Sequence, residues 1–263
     1  MLYARDGAVA RLTINRPDKR NAMSASVLRH LRDGIAEAKG DRAVRVLVLT
    51  GAGERSFCSG ADLVHMAQPG QDGPTFLEAH DDRGDIARVM EDLWQLGKPT
   101  IARVRGYALA GGFGLALSCD LVVAADDAVF GTPELDVGLW PYLITVPLLR
   151  SMPPKKALEL MLTCRRLSAQ EGHEIGFVNQ VVPVDGLDAA VDALAATLAA
   201  KPPDTMRLGR DSFYAVWDMA AAEALALLQP MLTVTTQTAD AVEGTTAFAE
   251  KRLPSWREAP PPD

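Results

Sequence analysis

Residues 106–120 read GYALAGGFGLALSCD, an apolar segment that ends at Asp120. Three glycines, Gly111, Gly112 and Gly114, stand at the start of an apolar segment that predicts a helix. Glycine inside a helix costs about 1 kcal/mol relative to alanine, so three together need a physical reason. Glycine lets a backbone approach another group closely, and the first N–H groups of a helix have no partner within it. The stretch therefore serves either a ligand or tight packing.

Strands and helices alternate on both sides of this stretch. Buried strands are predicted over residues 8–14, 44–50, 100–106, 121–126 and 178–182. Helices are predicted from the cap Ser24 to Gly40, through Ile86–Leu93, and over 153–163, 168–175 and 186–200. The polar residues 66–85, interrupted by Gly and Pro, predict a variable loop, and the end of the chain is predicted to be helical. This alternation of strands and helices predicts an α/β fold.

Composition limits the class of protein. The chain has 263 residues, of which 48% are hydrophobic and 23% charged, as in one large domain or a main domain with a small appendage. A net charge of −7 without a basic stripe predicts no nucleic-acid partner. No apolar run approaches the length of roughly 18 residues that a membrane span needs, so no membrane partner is expected. The scattered Cys58, Cys119 and Cys164 predict free thiols in a reducing cytoplasm, and the histidines lack zinc spacing, so no metal is expected.

Three segments could carry chemistry together: SFCSGADL (56–63), residues 106–120 and FGTPELDVGLW (130–140). The first two place small residues at bends after strands, where two backbone N–H groups could converge on one oxygen as an oxyanion hole. The third supplies Glu134, a carboxylate that could move a proton next to a carbonyl held there. Asp136 is expected to point the opposite way from Glu134 if this segment is extended, and Asp120 to be a structural hydrogen-bonding group.

A family resemblance rests on these segments and three others. INRPDKRNAMS, GAGERSFCSGADL, GYALAGGFGLALSCDLVVAADDAVFGTPELDVGL, LTCRRLSAQEGHEIGFVNQVVP and EGTTAFAEKRLPSW occur in this order. In that order and spacing the chain resembles the crotonase superfamily, the enoyl-CoA hydratase/isomerase family, over nearly its whole length. The resemblance implies a spiral core of ββα repeats over 1–195 and a helical region over 196–263. That second region would form a homotrimer or hexamer and cover the active site.

The resemblance also implies a substrate and its contacts. The substrate would be an acyl-CoA thioester, with coenzyme A entering as part of the substrate and no separate cofactor. The N–H groups of Ala61 and Gly111 would hold the thioester oxygen, and Glu134 would be the base. Matching positions imply further substrate or coenzyme A contacts at Lys19, Arg20, Ser59, Asp62, Leu63, Gly114, Trp140, Tyr142, Phe248 and Lys251.

Two departures from the family pattern bear on the reaction. Gly114 stands where hydratases of the family carry the first of two glutamates, which favours isomerisation of a Δ3-enoyl-CoA to the Δ2 form by Glu134 alone. Tyr142 stands where dienoyl-CoA isomerases and hydroxyacyl-CoA hydrolases carry an aspartate, which disfavours both of those activities.

Two alternatives stay open at this point. Hydration of a 2-enoyl-CoA is possible if a carboxylate of the 66–85 stretch supplies the second acid; the candidates are Glu78, Asp81, Asp82 and Asp85. The other alternative is a non-catalytic acyl-CoA-binding protein with the same fold. Retention of Glu134 and of both small-residue segments speaks against this second alternative.

Overall fold

The computed structural model describes residues 1–62 and 75–257. Its strands are β1 (Leu2–Asp6), β2 (Val9–Ile14), β3 (Val46–Gly51), β4 (Ser56–Cys58), β5 (Thr100–Val104), β6 (Tyr107–Leu109), β7 (Leu121–Ala125), β8 (Val129–Gly131), β9 (Arg166–Ser168) and β10 (Gln180–Val182). Its helices are α1 (Ala25–Gly40), α2 (Phe76–Trp94), α3 (Gly111–Leu117), α4 (Thr145–Ser151), α5 (Pro154–Thr163), α6 (Ala169–Ile175), α7 (Leu187–Ala199), α8 (Pro203–Val216), α9 (Ala221–Thr235) and α10 (Ala239–Glu250).

The strands form two sheets, which are linked three times by a short bend from a strand of one sheet into a strand of the other. The larger sheet has the order β1-β2-β3-β5-β7-β10, parallel except where β1 pairs with β2. The smaller sheet has the order β4-β6-β8-β9, parallel except where β9 pairs with β8. Each of β3, β5 and β7 in the larger sheet leads through a short bend into β4, β6 or β8 in the smaller one. This recurrence of strand, strand and helix confirms the α/β class and the predicted spiral of ββα repeats.

The central strand β3 shows why the sheet is covered on both faces. All six of its residues are buried, as expected for a parallel strand between two layers. Leu47 and Leu49 face the main core, whereas Val46 and Val48 face a second cluster beneath α7. Burying each such side chain contributes roughly 1.5–3 kcal/mol. The alternation of side chains along β3 therefore holds the helical layers on opposite faces of the sheet.

Two predicted helix starts are confirmed by their caps. The Ser24 hydroxyl accepts a hydrogen bond from the Val27 N–H at the start of α1, which ends at Gly40. Ser168 and Glu171 form the expected reciprocal capping box at the start of α6.

The predicted loop over residues 66–85 is wrong for its second half. Residues 66–74 lie outside the described part of the chain, but α2 begins at Phe76, behind a capping box made by Thr75 and Glu78. The side chains described over 77–83 are exposed, so this part of α2 has no apolar stripe to reveal it in the sequence. The local cap, and not hydrophobic periodicity, marks where the helix starts.

The helices after the core are α8, α9 and α10, which pack on one another. The predicted division at residue 195 falls inside α7, which covers the larger sheet and runs to Ala199. The division into two regions stays a prediction. Among the residues that the structure describes, no helix is long and apolar enough to cross a membrane.

Candidate active site

The three segments predicted to carry chemistry leave the smaller sheet at one edge. Strands β4, β6 and β8 are parallel neighbours with β6 in the middle. Their carboxyl ends lead to Ala61, Gly111 and Glu134 respectively. Neighbouring strands lie about 4.8 Å apart, so the three exits span roughly 10 Å. The sheet therefore brings the three segments together, although they are far apart in sequence.

The first two segments touch through their backbones. A Cβ on Gly112 would lie 2.2 Å from the carbonyl oxygen of Cys58, at the end of β4. A Cβ on Gly60 would lie 2.7 Å from the Ala110 Cβ and 3.4 Å from the Gly111 nitrogen. Only glycine fits at either position without displacing its neighbours. These glycines therefore permit close approach of the two loops.

The direction of the Ala61 N–H follows from its pairing with the first loop. Met23 donates to the Gly60 carbonyl at 2.8 Å, and the Asp62 N–H donates to the Met23 carbonyl at 3.0 Å. In this parallel bridge the residue between the two bonded groups turns its own N–H away from its partner. The Ala61 N–H therefore points to the other side, where β6 and α3 lie.

The Gly111 N–H lies at the first position of α3. The N–H groups of Phe113 and Gly114 both donate to the Ala110 carbonyl, at 2.9 and 3.1 Å, and so begin the helical pattern. The Gly111 N–H precedes that pattern and has no partner in it. Two amides from separate loops are thus available on one side, an arrangement that can hold a carbonyl oxygen as it gains negative charge.

Glu134 lies in the first turn of a 3₁₀ helix, Pro133–Val137, that follows β8. Its Oε2 is buried, and within the described residues it has no hydrogen-bond partner. Burial raises the pKa of the Glu134 carboxyl to about 7, partly offset by a hydrogen bond from its own backbone N–H. A carboxyl with that pKa can both accept and return a proton near neutral pH.

The neighbouring acids are placed differently. Asp136 is expected to point opposite to Glu134 if this segment is extended, but the segment is a 3₁₀ helix, so that reason does not apply. The Asp136 side chain is exposed. Asp120 is a hydrogen-bonding centre, because it accepts from the Thr100 N–H, Arg210 and Tyr214.

The acids of the 66–85 stretch are mostly occupied or exposed. Glu78 is bound in the cap of α2, and Asp85 pairs with Arg88 at 2.9 Å and with Arg32 at 3.8 Å. Asp81 is exposed, and the side chain of Asp82 lies outside the described part of the structure. The described acids of this stretch therefore supply no carboxylate that is both buried and unpaired.

Gly114 faces protein side chains in this structure, and its contact with substrate stays a prediction. The residue is buried, and a Cβ there would lie 2.3 Å from Ile144 Cγ2, 2.8 Å from Ile144 Cβ and 2.9 Å from Met90 Cε. Its N–H and carbonyl are both bonded within the helical turn. The space that a longer side chain would need is filled by Ile144 and Met90.

The residues implied to contact coenzyme A near the first loop lie side by side. Lys19 and Arg20 are exposed, and the Arg20 carbonyl accepts from the Ser59 N–H at 3.1 Å. Asp62 pairs with Arg16 at 2.9 Å, and the predicted contact Leu63 lies outside the described residues. The structure thus places this group next to Ala61.

The remaining implied contacts are not brought to the same place. Trp140 is half-buried and packs on the main core, whereas Tyr142 is 76% exposed. Phe248 and Lys251 lie at the end of α10, where Phe248 is 86% exposed. Within one chain neither of these two residues is held against the strand-end segments.

Sequence reasoning missed residues that shape this edge. Asn21 is fully buried; its Nδ2 donates to the carbonyls of Ala52 at 2.9 Å and Ser56 at 2.6 Å, which ties the first loop to β4. The contact between Ile144 and Gly114 could not be predicted from a local pattern, because the two residues are distant in sequence. Ala110 has the dihedrals φ 52 and ψ −129, a conformation that normally requires glycine.

The structure has a cavity outside the strand-end site, and its described residues hold no metal-binding cluster. A cavity of about 420 Å³, lined by Trp94, Arg150, Tyr214 and Trp217, lies between α8 and the core, away from the strand ends. The described residues contain no cluster of three His, Cys, Asp or Glu side chains that could hold a metal ion.

Comparison with known proteins agrees with the fold. The sequence profile of the family described as Enoyl-CoA hydratase/isomerase matches residues 4–259. A probable mitochondrial enoyl-CoA hydratase of Dictyostelium discoideum is 34% identical over 95% of this chain and 88% of its own length. A carnitinyl-CoA dehydratase of Proteus mirabilis is 33% identical over 95% of both chains. The crystal structure of an enoyl-CoA hydratase from Mycobacterium smegmatis superposes with a TM-score of 0.91 at 33% identity over 98% of both chains.

The fold and the matching family thus define an enzyme of the crotonase type. The chain belongs to the enoyl-CoA hydratase/isomerase family.

Proposed function

We propose that the protein isomerises a 3-enoyl-CoA to a 2-enoyl-CoA, with Glu134 as the only acid–base group. The observation that carries this proposal is the buried Oε2 of Glu134, which has no partner among the described residues and lies at the sheet edge where the amides of Ala61 and Gly111 emerge. A reaction that removes a proton and returns it two carbons further along needs one carboxyl and no water.

In the proposed reaction the thioester oxygen accepts hydrogen bonds from the N–H groups of Ala61 and Gly111. The Glu134 carboxylate takes a proton from C2, and the electron pair of that bond moves to give a dienolate, whose oxygen the two amides stabilise. The double bond between C3 and C4 shifts to C2 and C3 as Glu134 returns its proton to C4. Protons and electrons balance within the substrate, and the carboxylate is restored.

The surroundings of Gly114 favour isomerisation over hydration. Addition of water is helped by a second carboxylate that orients the water, and the space beside Gly114 is filled by Ile144 and Met90. The bonded and exposed acids of α2 give no replacement among the described side chains.

Hydration of a 2-enoyl-CoA is the second candidate, and the names of the relatives favour it. Proteins about one-third identical to this chain are named enoyl-CoA hydratases, and another is named a carnitinyl-CoA dehydratase. In that reaction Glu134 would act on water.

We also propose that the active unit is a homotrimer or a dimer of trimers. Large apolar side chains are exposed along the C-terminal helices, among them Phe213, Leu225, Leu232 and Phe248. An interface between subunits would bury exposed apolar side chains of this kind. A neighbouring subunit could then bring Phe248 and Lys251 to a bound coenzyme A, while Lys19 and Arg20 would meet its phosphates.

The test measures both reactions on the same preparation. We expect turnover of a short 3-enoyl-CoA to exceed hydration of the matching 2-enoyl-CoA, and Glu134→Gln to lower the isomerase rate by about 10³-fold, because a positioned acid–base group contributes 10²–10⁴-fold. Asp136→Asn, on the same 3₁₀ helix but exposed, is the matched control and should leave the rate unchanged.

Each other outcome would assign a different function to this chain. Faster hydration than isomerisation would assign the hydratase reaction. Binding of acyl-CoA without turnover of either substrate would show a non-catalytic binding protein. A Glu134→Gln variant that keeps more than a few per cent of the wild-type rate would remove Glu134 as the base.

A further inference from the structure

Ala110 lies at the junction of the three strand-end segments. Its N–H donates to the Gly131 carbonyl at 2.9 Å, at the end of β8. Its carbonyl accepts from the N–H groups of Phe113 and Gly114, the first bonds of α3. Its methyl group lies against Gly60, in the loop that leads to Ala61. One small residue thus touches all three segments of the candidate site.

The backbone of Ala110 is strained in a way that no other cap in the described residues shares. Arg20, Cys164 and Lys251 also have positive φ, but with ψ of 33, 20 and 35 they lie in the left-handed region that side chains tolerate. Ala110, at φ 52 and ψ −129, lies where the first central residue of a type II′ turn lies, a place taken by glycine. Non-glycine residues persist there only when the surroundings hold them.

We propose that Ala110 is a positioning residue: its methyl group, held against Gly60, keeps the Gly111 N–H and the Ala61 N–H at a fixed separation. This inference rests on the proposed function, in which both amides bind the thioester oxygen. Glycine would satisfy the backbone of position 110 without strain, so the backbone conformation does not itself require the methyl group. The space that it occupies is the one that Gly60 leaves by lacking a Cβ.

The proposal predicts opposite effects on stability and on catalysis. Ala110→Gly removes the strain and leaves a gap between the two loops, so the amides keep their positions less well. We expect kcat for the isomerase reaction to fall about tenfold, less than the 10²–10³-fold cost of deleting an oxyanion-hole donor. KM should stay within about twofold, because coenzyme A contacts are untouched, and the melting temperature should stay equal or rise.

The matched control is Cys164→Gly. Cys164 has the same φ of 52; it follows α5 and lies two residues before Arg166, which pairs with Gly131 at the end of β8. The substitution removes an ordinary positive-φ side chain without touching either loop, so kcat should stay at the wild-type value.

A second readout separates this proposal from the assignment of Glu134. In a Glu134→Gln background, the infrared carbonyl frequency of a bound 2-enoyl-CoA should fall relative to solution, because two N–H donors polarise the carbonyl. Adding Ala110→Gly should reduce that shift. An unchanged kcat, an unchanged carbonyl shift, or a loss of kcat that only follows a fall in melting temperature would overturn the role of Ala110. Retention of activity by Glu134→Gln would instead refute the proposed base and leave the carbonyl measurement valid.

Discussion

Asp120 and Glu134 are two acids of the same fold with opposite surroundings. Asp120 Oδ2 accepts from the Thr100 N–H at 2.7 Å and from Arg210 Nε at 2.8 Å, and Oδ1 accepts from the Tyr214 hydroxyl at 2.5 Å. Glu134 Oε2 is buried with no partner among the described residues. The first carboxylate is saturated with donors, whereas the second is left open.

The difference shows how the chain uses each acid. Arg210 also donates to the carbonyls of Leu93 and Trp94, so the Asp120 cluster joins α8 to the end of α2. A buried polar atom without a partner costs about 1–3 kcal/mol, and Glu134 Oε2 has no partner among the described residues. A saturated acid acts as a structural joint, and an open one is available for chemistry.

The largest expected effect on stability comes from removing the Asp120 carboxylate, which binds Arg210 and so joins α8 to the end of α2. Asp120→Ala leaves Arg210 buried without its partner, so we expect a loss of about 3–5 kcal/mol in the free energy of unfolding, measured by urea denaturation. Asp192→Ala is the control, because its ion pair with Arg11 is exposed and should contribute less than about 1 kcal/mol. Equal effects of the two substitutions would contradict the structural role of Asp120.

A carboxylate introduced at position 114 tests whether the packing there prevents hydration by Glu134 and a second acid. Gly114→Glu forces a side chain against Ile144, and we expect overpacking to cost about 1–3 kcal/mol of stability. Ile144→Ala in the same chain should recover part of that loss, and only the double variant should gain hydration of a 2-enoyl-CoA. A single variant that is as stable as wild type and hydrates substrate would show that Ile144 does not block the position.

The smallest effect concerns stability and pH at Glu134. The folded carboxyl keeps its proton up to a pKa of about 7, whereas the unfolded one loses it near the ordinary value of 4.5. The folded state therefore binds more protons in this window, and wild-type stability falls as the pH rises through it.

Glu134→Gln removes that loss. We expect the variant to be more stable than wild type by about 1–2 kcal/mol at pH 8, a value reduced for the partial exposure of the side chain, and equal to it near pH 4. Asp136→Asn, on the same 3₁₀ helix but exposed, is the matched control in the same denaturation series. A Glu134→Gln variant less stable than wild type at high pH would mean that the carboxylate is paired.

The regular parts of the fold were predictable because they depend on local patterns. The Ser24 cap and the apolar face of α1, and the all-apolar β3, follow from side-chain periodicity and capping chemistry. Family resemblance added the order of the segments, which predicts that Glu134 and Gly111 meet.

The rest depends on contacts that no local pattern encodes. The filling of the space beside Gly114 by Ile144 joins positions thirty residues apart in sequence, and it is decided by how α3 and α4 pack. The dihedrals of Ala110 are set by its hydrogen bonds to β8 and α3, since the residue type alone would predict ordinary backbone. The start of α2 was missed because the side chains described in its first turns are exposed and give no buried apolar stripe.

The most direct test of the account is titration of the Glu134 carboxyl itself. Infrared difference spectra of the wild type minus Glu134→Gln, recorded from pH 4 to 9 with carboxyl-labelled glutamate, isolate this one group. The account predicts a single protonation step with a midpoint near 7, shifted upward by burial and only partly offset by the backbone N–H of Glu134. A midpoint at the ordinary glutamate value near 4.5 would show a solvated or paired side chain and would contradict the role of Glu134 as the open acid.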